Sequence, residues 1–252
     1  AITPFNYPVL LVAHKIGPAL AAGNAVILKP ASVTPLTGLE LVRLFLDAGY
    51  PPGAIQCVGG PGSQLGAQLC ADERIRVITF TGSREVGLAI TRQAGIKRLC
   101  LELGGNCPLV MLEDGDIDAA SGATAIGGYV NAGQACTSAQ RILVERSAYV
   151  DFLDALTPKV AAIHAGDPTD PASQIGPMVT QADAERVERV VNEAVKDGAR
   201  LLVGGGRDGA VFEPTVLADV SPRTTLFREE LFGPAVGVIP FNDIDEGLEL
   251  AN

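Results

Sequence analysis

Val77-Ile78-Thr79-Phe80-Thr81-Gly82-Ser83-Arg84-Glu85-Val86-Gly87-Leu88-Ala89-Ile90 changes rhythm once, at Gly82-Ser83. Val77 to Phe80 is a short β-branched and aromatic run that reads as a strand, and Arg84 to Ala94 carries apolar residues at helical spacing. Ser83 stands where a helix N-cap belongs. A strand that feeds a helix through such a turn is the building unit of a parallel sheet with crossover helices. The unit recurs on both sides. Asn24 to Lys29, Ile55 to Val58 and Leu99 to Leu101 read as strands; Pro35 to Ala48 and Gln64 to Ala71 read as helices. Thr34 and Pro35 open the first of these helices and Gly49 closes it. Ala1 leads directly into a further strand-like segment. Pro18, inside a helical stretch from Val9 to Ala22, should kink that helix or mark a break. Residues 1–100 therefore read as a doubly wound half.

Past residue 100 the rhythm slows, and 101–252 reads as a second α/β domain. A helix is expected near Ile117 to Tyr129, then a loop around Cys136, a strand at Arg141 to Val144 and a helix from Tyr149 to Ile163. Val187, Val190, Val191, Ala194 and Val195 form one apolar stripe of core-packing type, ended by Gly198. Gly204 to Gly206 reads as a turn between strands.

The 252 residues are 47% hydrophobic, ample for a globular core, and the net charge of −10 leaves no basic face to follow a phosphate backbone. A nucleic-acid partner is not expected. Apolar stretches are broken well before the roughly 20 residues that a bilayer span needs. Cys57, Cys70, Cys100, Cys107 and Cys136 are odd in number and hold no C-x-x-C pair, which fits a reducing cytoplasm better than a disulfide scaffold or zinc site. His14 and His164 are too isolated to make a metal centre. There is no Gly-x-Ser-x-Gly elbow for a serine hydrolase.

Two short segments carry the chemistry. Leu101-Glu102-Leu103-Gly104-Gly105 sets a carboxylate beside a Gly-Gly turn, and Gly133-Gln134-Ala135-Cys136-Thr137 sets a thiol among small residues in a loop. The pair suggests covalent catalysis, with Cys136 as nucleophile and Glu102 handling protons. Cys57, Cys70 and Cys100 are assigned to packing, and Cys107 to a buried place beside Pro108. Gly59-Gly60-Pro61-Gly62-Ser63-Gln64-Leu65-Gly66 follows a strand and opens a helix, but Gly62 and Gly66 stand one residue too far apart for the usual dinucleotide fingerprint. Spacing alone leaves a ligand loop and a tight turn both open.

With Pro4-Phe5-Asn6-Tyr7-Pro8, Phe80-Thr81-Gly82-Ser83 and Glu229-Glu230-Leu231-Phe232-Gly233-Pro234 added, five motifs stand in one order along the chain. In that order and spacing the chain resembles the NAD(P)-dependent aldehyde dehydrogenase superfamily from residue 2 to its end. The resemblance implies a Rossmann-like cofactor-binding part plus an α/β catalytic domain, truncated at both ends. Missing would be an N-terminal part of the cofactor domain and a C-terminal region with an oligomerisation strand, so the isolated chain is expected to be inactive, and poorly soluble or molten. The parent is expected to be a homodimer or homotetramer.

The resemblance also implies roles. Cys136 attacks an aldehyde; the Asn6 amide and the Cys136 backbone N–H hold the oxyanion; Glu102 activates the water that cleaves the thioester. Gly62 and Gly66 belong to the helix against which the adenine lies, and Phe80, Gly82 and Ser83 to the element beside the pyrophosphate. Lys29 contacts the adenosine ribose, Leu103 joins the cofactor site, Glu230 binds the nicotinamide ribose and Phe232 flanks the ring. Ser32 stands where the family commonly has a glutamate that repels a 2′-phosphate, which favours NADP or dual use over strict NAD. The alternatives are a coenzyme A-acylating semialdehyde dehydrogenase, against which Glu102 speaks, and an inactive nucleotide-binding remnant.

Overall fold

The computed structural model describes all 252 residues, and the chain divides into two compact units, Ala1–Gly104 and Gly105–Asn252. Glu102 and Leu103 thus belong to the last strand of the first unit.

The first unit runs α1 (Leu10–Ala21), β1 (Val26–Leu28), α2 (Pro35–Asp47), β2 (Ile55–Cys57), a π-helical turn (Gly62–Gly66) continuing into α3 (Ala67–Ala71), β3 (Val77–Gly82), α4 (Arg84–Gln93) and β4 (Arg98–Leu103). β1 pairs with β2 and β3 with β4, both parallel. Residues 1–3 join the two pairs. Ile2 N–H donates to the Thr79 carbonyl (2.9 Å) and the Ile2 carbonyl accepts from Thr81 N–H (3.2 Å). On the other side, Thr3 N–H donates to the Lys29 carbonyl (3.1 Å) and Lys29 N–H to the Ala1 carbonyl (2.8 Å). Ile2 bridges Lys29 and Phe80 in the parallel sense. Counting residues 1–3 as the first strand, the order is 3-2-1-4-5, the order of a doubly wound nucleotide fold.

Apolar residues from helices and strands fill this unit. Val12, Ile16 and Leu20 of α1 pack with Val26, Leu28, Val42 and Ile55; Ile2, Cys70, Ile78, Phe80 and Ile90 form a second cluster. Of the two outcomes expected at Pro18, a kink or a break, the break does not occur: α1 runs on through it. His14, whose carbonyl loses its helical partner to the proline, and Pro18 itself are both exposed, so water can serve the orphaned carbonyl. β4 alternates in period two: Leu99, Leu101 and Leu103 are half-buried while Arg98, Cys100 and Glu102 are exposed. Cys100 is therefore not a packing residue; it shares the open face of β4 with Glu102. Cys57 is half-buried and Cys70 buried.

The second unit contains β5 (Cys107–Met111), α5 (Ile117–Gly127), a 3-10 turn (Val130–Gly133), β6 (Ala139–Glu145), α6 (Tyr149–Ala161), α7 (Gln181–Lys196), β7 (Arg200–Val203), a small hairpin of β8 (Arg207–Asp208) and β9 (Val211–Phe212), β10 (Thr215–Ala218), α8 (Thr225–Arg228), β11 (Ala235–Phe241) and α9 (Ile244–Ala251). Its sheet has the order β5-β6-β11-β10-β7, parallel except for antiparallel β7 at one edge. Alternate residues serve opposite faces. Ile142, Val144, Val216, Val236 and Val238 pack with Phe152, Leu156 and Val160 of α6; Leu143, Leu217, Ile239 and Phe241 pack with Ala184, Val187, Val191 and Ala194 of α7. Each such buried Val, Leu, Ile or Phe contributes about 1.5–3 kcal/mol of burial free energy. The α7 stripe is narrower than its sequence suggests, because Val195 lies on the solvent side of the helix. Cys107 is half-buried, not enclosed, since β5 is an edge strand whose register shifts between Cys107 and Pro108. No helix is long and apolar enough to cross a membrane, and no cluster of His, Cys, Asp or Glu is fit to hold a metal ion.

Candidate active site

In the first unit the sheet gathers every chemically singled-out segment at one edge. Because all strands are parallel, their C-terminal ends face the same way. There Asn6 follows residues 1–3, Lys29 and Ser32 follow β1, Gly62 follows β2, Ser83 follows β3, and Glu102 and Leu103 end β4. In open α/β sheets this edge, and above all the point where strand order reverses, is where ligands bind. The reversal lies between residues 1–3 and β3, so it is flanked by Asn6 and Ser83.

Lys29 is buried, and its ammonium donates to the Pro30 carbonyl (2.9 Å) while burial pulls its pKa down. A Cβ added to Gly62 would lie 4.0 Å from the Lys29 Nζ, so the ammonium sits beside the glycine-rich loop. Ser32 does not cap the turn that follows it; its hydroxyl donates to the Gly60 carbonyl (3.0 Å) and ties the β1–α2 loop to the glycine-rich one. The Ser83 hydroxyl accepts from Val86 N–H (3.4 Å) and caps α4, and it also hydrogen-bonds the Glu85 carboxylate in the first turn. The Phe80 side chain lies in the core and leaves only its backbone to a ligand. Gly66 closes the π-helical turn.

Cys136 is exposed on an irregular loop of the second unit. Three consecutive left-handed residues, Asn131 (φ 54°), Ala132 (φ 55°) and Gly133 (φ 67°), carry the chain into it. Gln134, 4% exposed, clamps the loop: its Oε1 accepts from Val179 N–H (2.9 Å) and its Nε2 donates to the Asn131 carbonyl (3.1 Å). Gly133 is required twice over, because a Cβ there would also stand 2.1 Å from the Gly233 carbonyl oxygen. That contact seats the Glu229–Pro234 turn against the cysteine loop. The turn is held further by Gln140, whose Oε1 accepts from Leu231 N–H (2.9 Å), and by Asn106, whose Nδ2 donates to the carbonyls of Phe227 (2.7 Å) and Glu229 (3.2 Å). Arg141 in turn donates to the Asn106 carbonyl (3.0 and 2.6 Å) and lies over the Phe227 ring at 5.2 Å. Glu230 and Phe232 are half-buried within this frame, Phe232 with a positive φ of 51°. Replacing Gly133 by alanine should cost about 3 kcal/mol or more, from the left-handed backbone and the collision with Gly233 together. A thermal melt of the full-length protein unchanged by Gly133→Ala would contradict this packing.

Sequence reasoning passed over Lys15. It is buried on α1, donates to Thr79 Oγ1 (3.2 Å), and has its pKa lowered by burial, an effect that Cys100 and Glu102 partly reverse. The signal was present as a lysine within the Val12-Ile16-Leu20 stripe. Gln134, Gln140 and Asn106 left no such trace, since their partners are backbone atoms brought up by folding.

The aldehyde dehydrogenase family model matches residues 1–252. The 3-sulfolactaldehyde dehydrogenase of Priestia megaterium is 44% identical over the whole of this chain, which corresponds to 53% of that protein. The glyceraldehyde-3-phosphate dehydrogenase GapN of Methanocaldococcus jannaschii, solved with NADP, superposes with a TM-score of 0.95 at 38% identity, over 100% of this chain and 56% of its own. Betaine aldehyde dehydrogenase of Staphylococcus aureus, solved with NAD+, gives 0.94 at 35% identity, over 100% and 52%. The chain spans about half the length of the relatives that it matches. With its whole length matched by one family model and superposed on these solved structures, the chain belongs to the aldehyde dehydrogenase family.

Proposed function

We propose that the protein carrying this chain oxidises an aldehyde to a carboxylate with NAD or NADP, through a thiohemiacetal and then a thioester on Cys136. The observation that carries this reading is the Cys136 loop, in which an exposed thiol is presented by a left-handed backbone locked through a buried glutamine. The first unit serves as the cofactor-binding part and also carries Asn6 and Glu102, while the second carries Cys136.

The residues at the sheet edge fit a dinucleotide. A capped helix N-terminus at Ser83 suits the pyrophosphate, the Lys29 ammonium beside Gly62 suits the adenosine ribose, and the Glu230–Phe232 turn suits the nicotinamide end. When bound, the nicotinamide supplies a hydride acceptor. The rest falls to the protein. Cys136 adds to the carbonyl carbon, making the centre tetrahedral, so that a C–H bond can give up hydride; the negative oxygen is held by the Asn6 amide and the Cys136 N–H. Glu102, on the open face of β4, takes a proton from the water that attacks the thioester, and Cys136 leaves as thiolate. A carboxylate base in this role favours hydrolysis over transfer to coenzyme A.

Ser32 carries no charge to repel a 2′-phosphate, which supports use of NADP as well as NAD. Ser32→Glu in the full-length protein should raise the KM for NADP about tenfold more than that for NAD, the size of a nearby unit charge. Steady-state kinetics with both cofactors decide the point, and equal effects would place Ser32 away from the 2′ position. The reaction as a whole is tested by following nicotinamide reduction with a panel of aliphatic, hydroxylated and acidic aldehydes. No turnover with any of them would overturn it.

A further inference from the structure

We propose that Cys107 and Cys136 are a disulfide-forming pair, so that a hydroperoxide converts the two thiols into a reversible cross-link instead of destroying Cys136. The inference rests on the reading above only in naming Cys136 as the nucleophile. Of five cysteines, these are the two in the second unit, and they touch: Cys107 Sγ donates to the Cys136 carbonyl at 3.4 Å. Both are accessible, Cys136 exposed and Cys107 half-buried.

A disulfide needs its two Cα atoms within about 7 Å, and the 3.4 Å contact between the Cys107 thiol and the Cys136 carbonyl makes the two residues neighbours; closing the bond requires the Cys136 side chain to turn toward Cys107. Cys107 stands at the first position of edge strand β5, where the register shifts before Pro108, and Cys136 lies in the loop ahead of β6. Neither residue must leave a regular ladder to turn its side chain. Cys57, Cys70 and Cys100 belong to the first unit.

The chemistry balances. The Cys136 thiolate attacks a peroxide oxygen; an S–O bond forms, the O–O bond breaks, and hydroxide or alkoxide leaves. The Cys107 thiolate then attacks the sulfenic sulfur, the S–S bond forms, the S–O bond breaks, and the departing hydroxide takes up a proton as water. The two thiols supply the two electrons that reduce the peroxide. A dithiol reverses the cross-link by exchange. Without Cys107 the sulfenic acid stays open to more peroxide and passes to the sulfinic acid, which thiols do not reduce.

The test treats the full-length protein with hydrogen peroxide, blocks free thiols with iodoacetamide, and maps the unreduced digest by mass spectrometry. The expected result is a linked Cys107–Cys136 peptide that dithiothreitol abolishes as activity returns. In Cys107→Ser, which keeps a donor to the Cys136 carbonyl, Cys136 should accumulate as sulfinic acid and the loss of activity should resist dithiothreitol; Cys107→Ala is expected to match it. Absence of the linked peptide, or equal irreversible oxidation of Cys136 in wild type and both variants, overturns the proposal and leaves the contact as packing. The linked peptide is read by mass, independently of catalysis. A protein that forms it yet oxidises no aldehyde would sink the proposed reaction and leave this pair standing.

Discussion

Replacing Cys136 by serine in the full-length protein should lower aldehyde-dependent nicotinamide reduction by about 10⁴-fold or more, the usual consequence of removing a covalent nucleophile. A hydroxyl does not ionise near neutral pH, so the tetrahedral adduct does not form at a useful rate. Cys136 is exposed and its loop is held by Gln134 and Gly133, so the fold should not notice the change. A thermal melt within about 0.5 kcal/mol of wild type, beside the lost turnover, is the combined expectation. Iodoacetamide gives an independent check. Inactivation should track modification at Cys136, and inactivation that tracks Cys57 or Cys100 while Cys136 remains free would refute the assignment.

The second large effect is expected at Glu102. Glu102→Gln should cut steady turnover by about 100-fold or more, the contribution of a positioned general base. Its role comes after hydride transfer, so a rapid first burst of reduced nicotinamide should survive and the thioester on Cys136 should accumulate. Glu102 sits on the open face at the end of β4, where an amide of the same shape leaves the leucine face untouched. Stopped-flow absorbance separates the two phases. Normal steady turnover in the variant would place water activation on another residue and weaken the hydrolytic reading.

Much of the architecture was legible because local signals agree. The turn at Gly82-Ser83 separates a β-branched run from a helical one, and β3 and α4 meet there. The α7 stripe and its glycine stop were equally plain, except for Val195, because helical spacing tells which residues share a face but not how wide the covered face is. The cysteine loop stood out only beside the other motifs, since a free cysteine among small residues is by itself most often a packing residue. Burial of individual strand residues was harder to read. Cys100 looked like core because its neighbours are leucines, yet period-two alternation turns it outward.

From the sequence alone came the alternation of strands and helices and the positions of their turns, set by short-range propensity and steric rules, while the candidate reactive residues came from the order of five motifs that resembles a known family. Only the tertiary structure decided that residues 1–3 are the middle strand of the first sheet, because three residues carry too little pattern and their pairing partners, near Lys29 and Phe80, lie far along the chain. It alone decided that Ser32 bonds Gly60, that Gln134 and Gln140 serve backbone groups of distant turns, and that Gly133 and Gly233 must approach within a side chain's width. Contacts of this kind depend on closing long loops around a packed core. They exist only once the hydrophobic faces have met, so no local run of residues can encode them.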